Sequence, residues 1–443
     1  MHTLEQLRAG QLAGIQRLDL SAGLTEFPTE IFELADSLEI LNLSGNSLST
    51  LPDDLGRLHK LRILFCSDNQ FTTVPEVLGQ CAQLSMIGFK ANQIHSLPAA
   101  SLPPLLRWLI LTDNHLTALP HELGACTHLQ KLMLAGNQLT HLPESMAACA
   151  NLELLRIAAN RFEALPEWLL ALPRLSWLAY AGNPFCEEIE AALVRQHPIT
   201  SIDWRQLTLQ QKLGEGASGV IYQAQWCPAA ASSQAVAVKL FKGAVTSDGL
   251  PHSEMSACIS AGVHPNLIAV EGKITEHPTN AEGLVLDLID PAFQILAGPP
   301  SFASCTRDVY DAGTVFSLAT VLRLAHGIAA AAAHLHARGI LHGDLYAHNI
   351  LTTSTGRCLL GDFGAACFLE PSSALSTQVQ RLEARAFACL LEELLAHCEP
   401  TASESFHALA ELERRCAQPN VAARPLFAEI EQVLTALLGE ASR

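Results

Sequence analysis

Apolar positions between Leu38 and Leu175 recur every 22 or 23 residues, with Leu38, Leu61, Leu84, Leu106, Leu129, Leu152 and Leu175 each opening the same string. The string reads L-x-x-L-x-L-x-x-N-x-L-x-x-L-P, as in LEILNLSGNSLSTLP and LQKLMLAGNQLTHLP, and a less regular copy starts at Ile15. The inner L-x-L alternation predicts a short strand with one buried face. Strands so short cannot bury a core alone, so neighbouring copies must stack. An asparagine falls at one phase of seven copies: Asn46, Asn69, Asn92, Asn114, Asn137, Asn160 and Asn183. Amides placed there can bond main-chain groups of the adjacent turn that neither helix nor sheet would satisfy. The irregular first copy and the stretch from Pro184 to Pro198 are expected to cap the stack.

This half resembles the leucine-rich-repeat solenoids, whose short parallel strands line a concave surface. The third and fifth places of each strand then face the concavity. They are occupied by Ile40, Ile63, Phe65, Met86, Trp108, Ile110, Met133, Leu154 and Trp177. An apolar stripe of this kind is expected to bind a protein partner; the alternative is cover from within the chain or from a second copy. Cys81, Cys126 and Cys149 share the phase of Leu58 and Leu172 and read as small buried hydrophobes.

The 23-residue period is lost near 202–207, and a different pattern follows. LTLQQKLGEGASGVIYQAQW reads strand, glycine-rich turn, strand, with Gly214, Gly216 and Gly219 in G-x-G-x-x-G spacing. A strand, not a helix, follows those glycines, which rejects the dinucleotide-binding reading. The turn and its flanks, Leu213, Gly214, Glu215, Gly216, Ala217, Ser218, Gly219, Val220 and Ile221, are candidates for contact with a phosphorylated ligand. AVAVKL places Lys239 on the next strand, and Glu254 is the one acid of the helix expected from Leu250 to Ala261. A lysine buried in a cleft keeps its charge only beside a carboxylate, which makes Glu254 its partner.

Further on stands ILHGDLYAHNILTTSTGRCLLGDFG, 340–364. Two short apolar strands around Ser354-Thr355-Gly356 form a hairpin that turns Asn349 and Asp362 towards one point, with Asp344 on the loop before them. An amide oxygen and a carboxylate converging there suit Mg²⁺, and a carboxylate not needed by the metal can take a proton from a hydroxyl. The ordered set resembles the eukaryotic-type protein kinases, with H-G-D-L and Asn349, then D-F-G, for H-R-D-L-x-x-x-N and D-F-G. The resemblance implies ATP and Mg²⁺ as cofactors, with Asp344 as the catalytic base and Asn349 and Asp362 on the metal. It also implies that Lys239, held by Glu254, grips phosphate, and that main-chain groups from Asp287 to Ile289 meet adenine. The expected fold is an α/β leucine-rich-repeat solenoid, 1–206, followed by a bilobal α+β kinase-like domain, 207–443.

Three departures stand out. Gly343 replaces the arginine before the catalytic aspartate, Tyr346 replaces the lysine that meets the transferred phosphate, and no A-P-E follows D-F-G. Glu383 stands in a helix where the family has aspartate, and 290–313 has no counterpart in the pattern. The expected activity is transfer of the γ-phosphate to a protein hydroxyl, Ser/Thr being favoured over Tyr. A small-molecule kinase and an ATP-binding scaffold working through its repeats are the alternatives.

Charge narrows the partners. The net charge is −17, with 13 Lys+Arg against 21 Asp+Glu in 1–206 and 14 against 23 in the remainder. Neither half offers the basic field that nucleic acid requires. The first residues lack a signal-peptide core and no uninterrupted apolar run has the length of a membrane span, so a cytoplasmic protein is expected. The thirteen cysteines are odd in number and lack C-x-x-C pairs, which argues against a disulfide framework or a zinc site.

Overall fold

The computed structural model describes residues 2–441 except 217, 229–231, 244, 247, 371, 372 and 402. Packing divides the chain into two compact units, Met1–Arg174 and Leu175–Arg443.

The first unit opens with helix α1 (Leu4–Arg8), whose Thr3 and Gln6 form a capping box. Seven parallel strands follow: β1 (Arg17–Asp19), β2 (Ile40–Asn42), β3 (Ile63–Phe65), β4 (Met86–Gly88), β5 (Trp108–Ile110), β6 (Lys131–Met133) and β7 (Leu154–Arg156). They pair in simple order with like positions opposed, Ile40 to Ile63 and Ile63 to Met86. The L-P of the motif starts the return turn, because Pro75, Pro98, Pro120, Pro143 and Pro166 each immediately precede a 3-10 helix. The asparagine ladder bonds as the pattern requires. Asn114 Oδ1 accepts from the Ile94 N–H at 3.0 Å, and its Nδ2 donates to the Phe89 and Leu111 carbonyls at 2.9 and 3.1 Å. Cys81, Cys126 and Cys149 are buried, and burial pushes the Cys81 and Cys149 thiols up to about 11.

The second unit begins inside the last repeat. Strand β8 (Trp177–Ala179) and helix α2 (Pro184–Gln196) lead to β9 (Ser201–Asp203). A six-stranded sheet of order β10-β11-β12-β14-β13-β9 forms the smaller lobe, from β10 (Leu207–Glu215), β11 (Gly219–Trp226), β12 (Gln234–Phe241), β13 (Val270–Thr275) and β14 (Gly283–Asp287). Helix α3 (Pro251–Ala261) lies between β12 and β13 in sequence. Segment 175–206, grouped with the repeats by its leucine phase, packs here because β9 pairs with β13 while α2 lies on α3.

The larger lobe holds β15 (Gln294–Ile295), helix α4 (Leu318–Ala337), β16 (Ile340–Leu341), the hairpin β17 (Ile350–Thr352) and β18 (Cys358–Leu360), β19 (Cys367–Phe368), and helices α5 (Ala374–Ala396), α6 (Glu404–Cys416) and α7 (Phe427–Ala441). Helix α4 has the length and apolarity of a membrane span, but its small residues are buried against α5 and α7. Gly327 on α4 allows that closeness, since a Cβ there would meet Cys358 Sγ at 2.5 Å and Asn266 Nδ2 at 2.7 Å.

Candidate active site

Lys239 sits on β12, opposite Ile221 of β11 and Leu284 of β14, in the middle of the sheet. Its side chain is 15% exposed and its ammonium pairs with the 2%-exposed Glu254 of α3. Burial opposes the charge on Lys239, but the Glu254 carboxylate, with Asp362 behind it, more than offsets this and raises its pKa. Pro251 starts α3 where a missing N–H costs nothing. Gly219 is required by contact: a Cβ there would lie 2.4 Å from the Leu240 carbonyl, whereas Gly214 and Gly216 face open space.

Gly216, Ser218, Gly219, Ile221, Lys239 and Asp362 line one cavity of about 210 Å³. Thr246, Asp248 and Gly364, which sequence reasoning missed, complete its walls. Other nucleotide candidates do not line it. Leu213 is 47% exposed. Glu215 is engaged by Lys212 and Lys242, which hold its carboxyl down at about 2. Gly214 pairs with Ile221 and Val220 with Glu215 across β10 and β11. Asp287 ends β14 with its N–H donating to the Ala269 carbonyl at 3.0 Å, and Ile289 follows half-buried. Ala217 lies outside the described residues.

The β17–β18 hairpin forms as expected, with Ile350 opposite Leu360. Its register lets the Gly361 N–H donate to the Asn349 carbonyl at 2.9 Å, one residue before Asp362. Asn349 Nδ2 also donates to the Asp344 carbonyl at 2.9 Å and to Asp344 Oδ2 at 2.8 Å. Asp362 has φ +54°, a left-handed conformation that aspartate tolerates better than most residues, and its Oδ1 accepts from the Gly364 N–H at 3.0 Å. His342 Nε2 donates to the Gly361 carbonyl at 2.9 Å, and its ring lies 5.2 Å from that of Phe363. Asp344, Asn349 and Asp362 are therefore tied to one another through the loop and hairpin.

The departures acquire reasons. Gly343 has φ +73°, and a Cβ there would meet the Ala365 carbonyl at 2.4 Å and the Leu178 carbonyl at 2.9 Å, so the site has no room for arginine. Glu383 of α5 takes the place expected of aspartate: its Oε1 accepts from the Gly343 N–H at 2.7 Å and its Oε2 lies 2.5 Å from His336 Nε2. Tyr346 is turned into the interior and stacks on Trp177 at 4.1 Å and 7°. Trp177 is 1% exposed and its Nε1–H donates to the Leu345 carbonyl at 3.0 Å. It is thus unavailable to an outside partner, correcting its assignment to the exposed stripe. Ile63, Met86 and Leu154 are likewise buried.

Segment 290–313 braces the same loop. Asp308 accepts from the His348 N–H at 2.9 Å and pairs with His348 Nδ1 at 2.7 Å. Burial works against the imidazolium of His348, but Asp308, with Asp344 and Asp362, raises its pKa. Glu393 of α5 accepts from the Asp308 N–H at 3.1 Å and from the Tyr310 hydroxyl at 3.3 Å. Burial, with Asp308 nearby, pushes the Glu393 carboxyl up to about 8.

Glycine turn, paired lysine and aspartate-bearing hairpin meet between two lobes in the manner of a protein-kinase fold, here preceded by a parallel repeat solenoid. Known families agree: residues 207–389 match the family described as protein tyrosine and serine/threonine kinase, and 104–162 and 37–58 match leucine rich repeat families. The chain consists of leucine-rich repeats followed by a protein-kinase domain. It is 30% identical to the serine/threonine-protein kinase mos of Gallus gallus over 40% of this chain and 52% of that protein. It is 28% identical to the serine/threonine-protein kinase PkaA of Streptomyces coelicolor over 51% of this chain and 46% of that one. The chain thus spans about half the length of these relatives. A leucine-rich-repeat protein structure from Leptospira interrogans aligns at 29% identity and a TM-score of 0.38, covering 41% of this chain and 47% of that one.

Proposed function

We propose that the chain transfers the γ-phosphoryl group of ATP to a protein hydroxyl, serine or threonine in preference to tyrosine. The observation that carries this reading is one cleft walled by Lys239 and Asp362, with Glu254 behind the lysine and Asp344 bonded to Asn349 beside the hairpin. The serine/threonine kinase relatives support it. Gly216, Ser218 and Gly219 close over the phosphates and Lys239 neutralises them. Asp344 accepts the proton of the attacking hydroxyl as its oxygen bonds to the γ-phosphorus, while the bond to the β-phosphate oxygen breaks and ADP leaves. The oxygen donors of Asn349 and Asp362 fit Mg²⁺, which when bound would neutralise phosphate charge. Adenine is assigned to main-chain groups from Asp287 to Ile289 and to Leu213 on the kinase pattern alone.

Labelled ATP with the chain itself and with a generic protein acceptor tests the reading. Asp344→Ala is expected to slow transfer about 10²–10⁴-fold, the usual worth of a positioned proton acceptor. Equal rates for parent and variant overturn it. The repeats support a protein partner, with Ile40, Phe65, Trp108, Ile110 and Met133 the stripe residues that keep partial exposure. The thirteen unbridged cysteines support a reducing, cytoplasmic setting.

A further inference from the structure

We infer that residues 177–190, which by sequence phase close the repeat array, position the catalytic loop and helix α3 and so hold the phosphotransfer site in its working arrangement. The inference rests on the kinase reading above and names positioning residues that reading does not contain. Four contacts carry it. Trp177 fixes the catalytic loop twice, by stacking on Tyr346 and by donating to the Leu345 carbonyl, the residue next to Asp344. The Leu178 carbonyl closes over Gly343 on the other side of Asp344. The Tyr180 N–H lies 3.0 Å from Cys367 Sγ and its hydroxyl 3.4 Å from the Phe368 carbonyl, which places β8 along the segment after Gly364. On α2, Glu190 Oε2 accepts from Ser253 Oγ at 3.2 Å, one residue before Glu254.

One short stretch therefore touches the loop of Asp344, the segment following Asp362 and the helix of Glu254. Its contacts are buried: Trp177, Tyr180 and Tyr346 are at most 4% exposed, Glu190 and Ser253 at most 9%. A stacked indole with its N–H satisfied restrains a loop in both ring plane and main-chain position. Burial raises the Glu190 carboxyl pKa, while its hydroxyl partners act the other way. Removing it leaves the Ser253 hydroxyl without its acceptor and loosens the face of α3 that sets Glu254 against Lys239. Trp177 is thus a positioning residue for Asp344, and Glu190 one for the lysine pair.

The two should fail differently. In the full chain, rates are measured across ATP concentration and referred to the fraction of protein that binds ADP, so that partial unfolding does not pass for a lower kcat. Trp177→Ala is expected to lower kcat about tenfold or more with KM for ATP within about twofold. Trp177→Phe keeps a stacking ring and should recover at least about a third of parental kcat. Glu190→Ala should raise KM for ATP several-fold. Parental kcat and KM in all three variants overturn the inference, as does an equal kcat loss in Trp177→Phe and Trp177→Ala. If Trp177→Ala does not fold, the Phe and Glu190 variants decide by the same split. If the parent itself transfers no phosphate, the kinase reading fails separately, and amide exchange decides the positioning. Exchange about tenfold faster across 342–349 in Trp177→Phe or Trp177→Ala supports it, and unchanged exchange overturns it.

Discussion

Two residues show how much the site depends on local physics. Gly343 combines a left-handed φ with carbonyls at 2.4 and 2.9 Å from any added Cβ. A non-glycine residue in that conformation costs about 1–2 kcal/mol before any clash. Gly343→Ala is therefore expected to lower the melting temperature by several degrees and to slow transfer, and Gly343→Arg to do worse on both. A melting curve unchanged by Gly343→Ala would contradict the strain argument. Glu393 offers a test by pH. Its folded pKa of about 8 lies above the ordinary 4.5, because burial and Asp308 disfavour the carboxylate. The folded state thus holds a proton that the unfolded chain has released between those values. Its contribution to stability is complete below about pH 4.5 and is lost as pH rises towards and through 8. Glu393→Gln should match the parent near pH 5 and melt higher than it near pH 9. Parallel curves for the two proteins across that range would refute the assignment.

At the scale of elements, the asparagine ladder and the stripe teach opposite lessons. The ladder was legible because each bond is made to the neighbouring turn, at a fixed sequence offset. Asn114 is 4% exposed, so Asn114→Ala leaves the Ile94 N–H buried without its acceptor, at about 1–3 kcal/mol for a group left unsatisfied, while the Phe89 and Leu111 carbonyls keep Asn92 and Asn137 as donors. Asn46 makes the same kind of bonds near the surface, to Ala22, Leu24, Leu20 and Leu43, where water can replace it. Urea unfolding should find Asn114→Ala clearly more costly than Asn46→Ala; equal losses would mean that burial does not set the cost. The β17–β18 hairpin and α3 were legible for the same reason of local pattern. The fate of Trp177 was not. Its phase in the strand is that of Trp108, and only packing against Tyr346, 169 positions later, makes it interior. The bracing by Asp308 was hidden likewise, since its partners His348 and Glu393 lie 40 and 85 residues away. Gly343 was visible as a missing arginine, but its steric need arises from Leu178 and Ala365, which no local pattern brings near.

For the molecule as a whole, the question is what replaces control by phosphorylation of the segment after D-F-G. Phosphate there adds about −1.5 to −2 charges and orders a loop when an arginine receives it. Gly343 supplies no guanidinium, and the segment is already held by other means. Cys367 and Phe368 pair with Leu341 and Ile340, and the Leu369 N–H donates to the Gly339 carbonyl at 2.8 Å. Helix α5 starts directly afterwards, with Ser373 Oγ accepting from the Ser376 N–H at 3.1 Å. Of the hydroxyls nearby, Ser376 is fully buried and Ser373 is committed to the cap, while Ser372 lies outside the described residues. A phosphate at Ser376 would have to unfold the helix start to form at all. Activity is therefore expected to be independent of phosphorylation between Gly364 and Leu382. Initial rates of phosphatase-treated protein, and of a variant carrying Ser372→Ala, Ser373→Asn to keep the cap, and Thr377→Ala, should lie within about twofold of the parent. A fall beyond about tenfold in either, near 1.4 kcal/mol of barrier, would show that phosphate is needed after all. Rates that hold while Trp177→Ala loses kcat would assign to the β8 contacts the ordering that a phosphate supplies elsewhere.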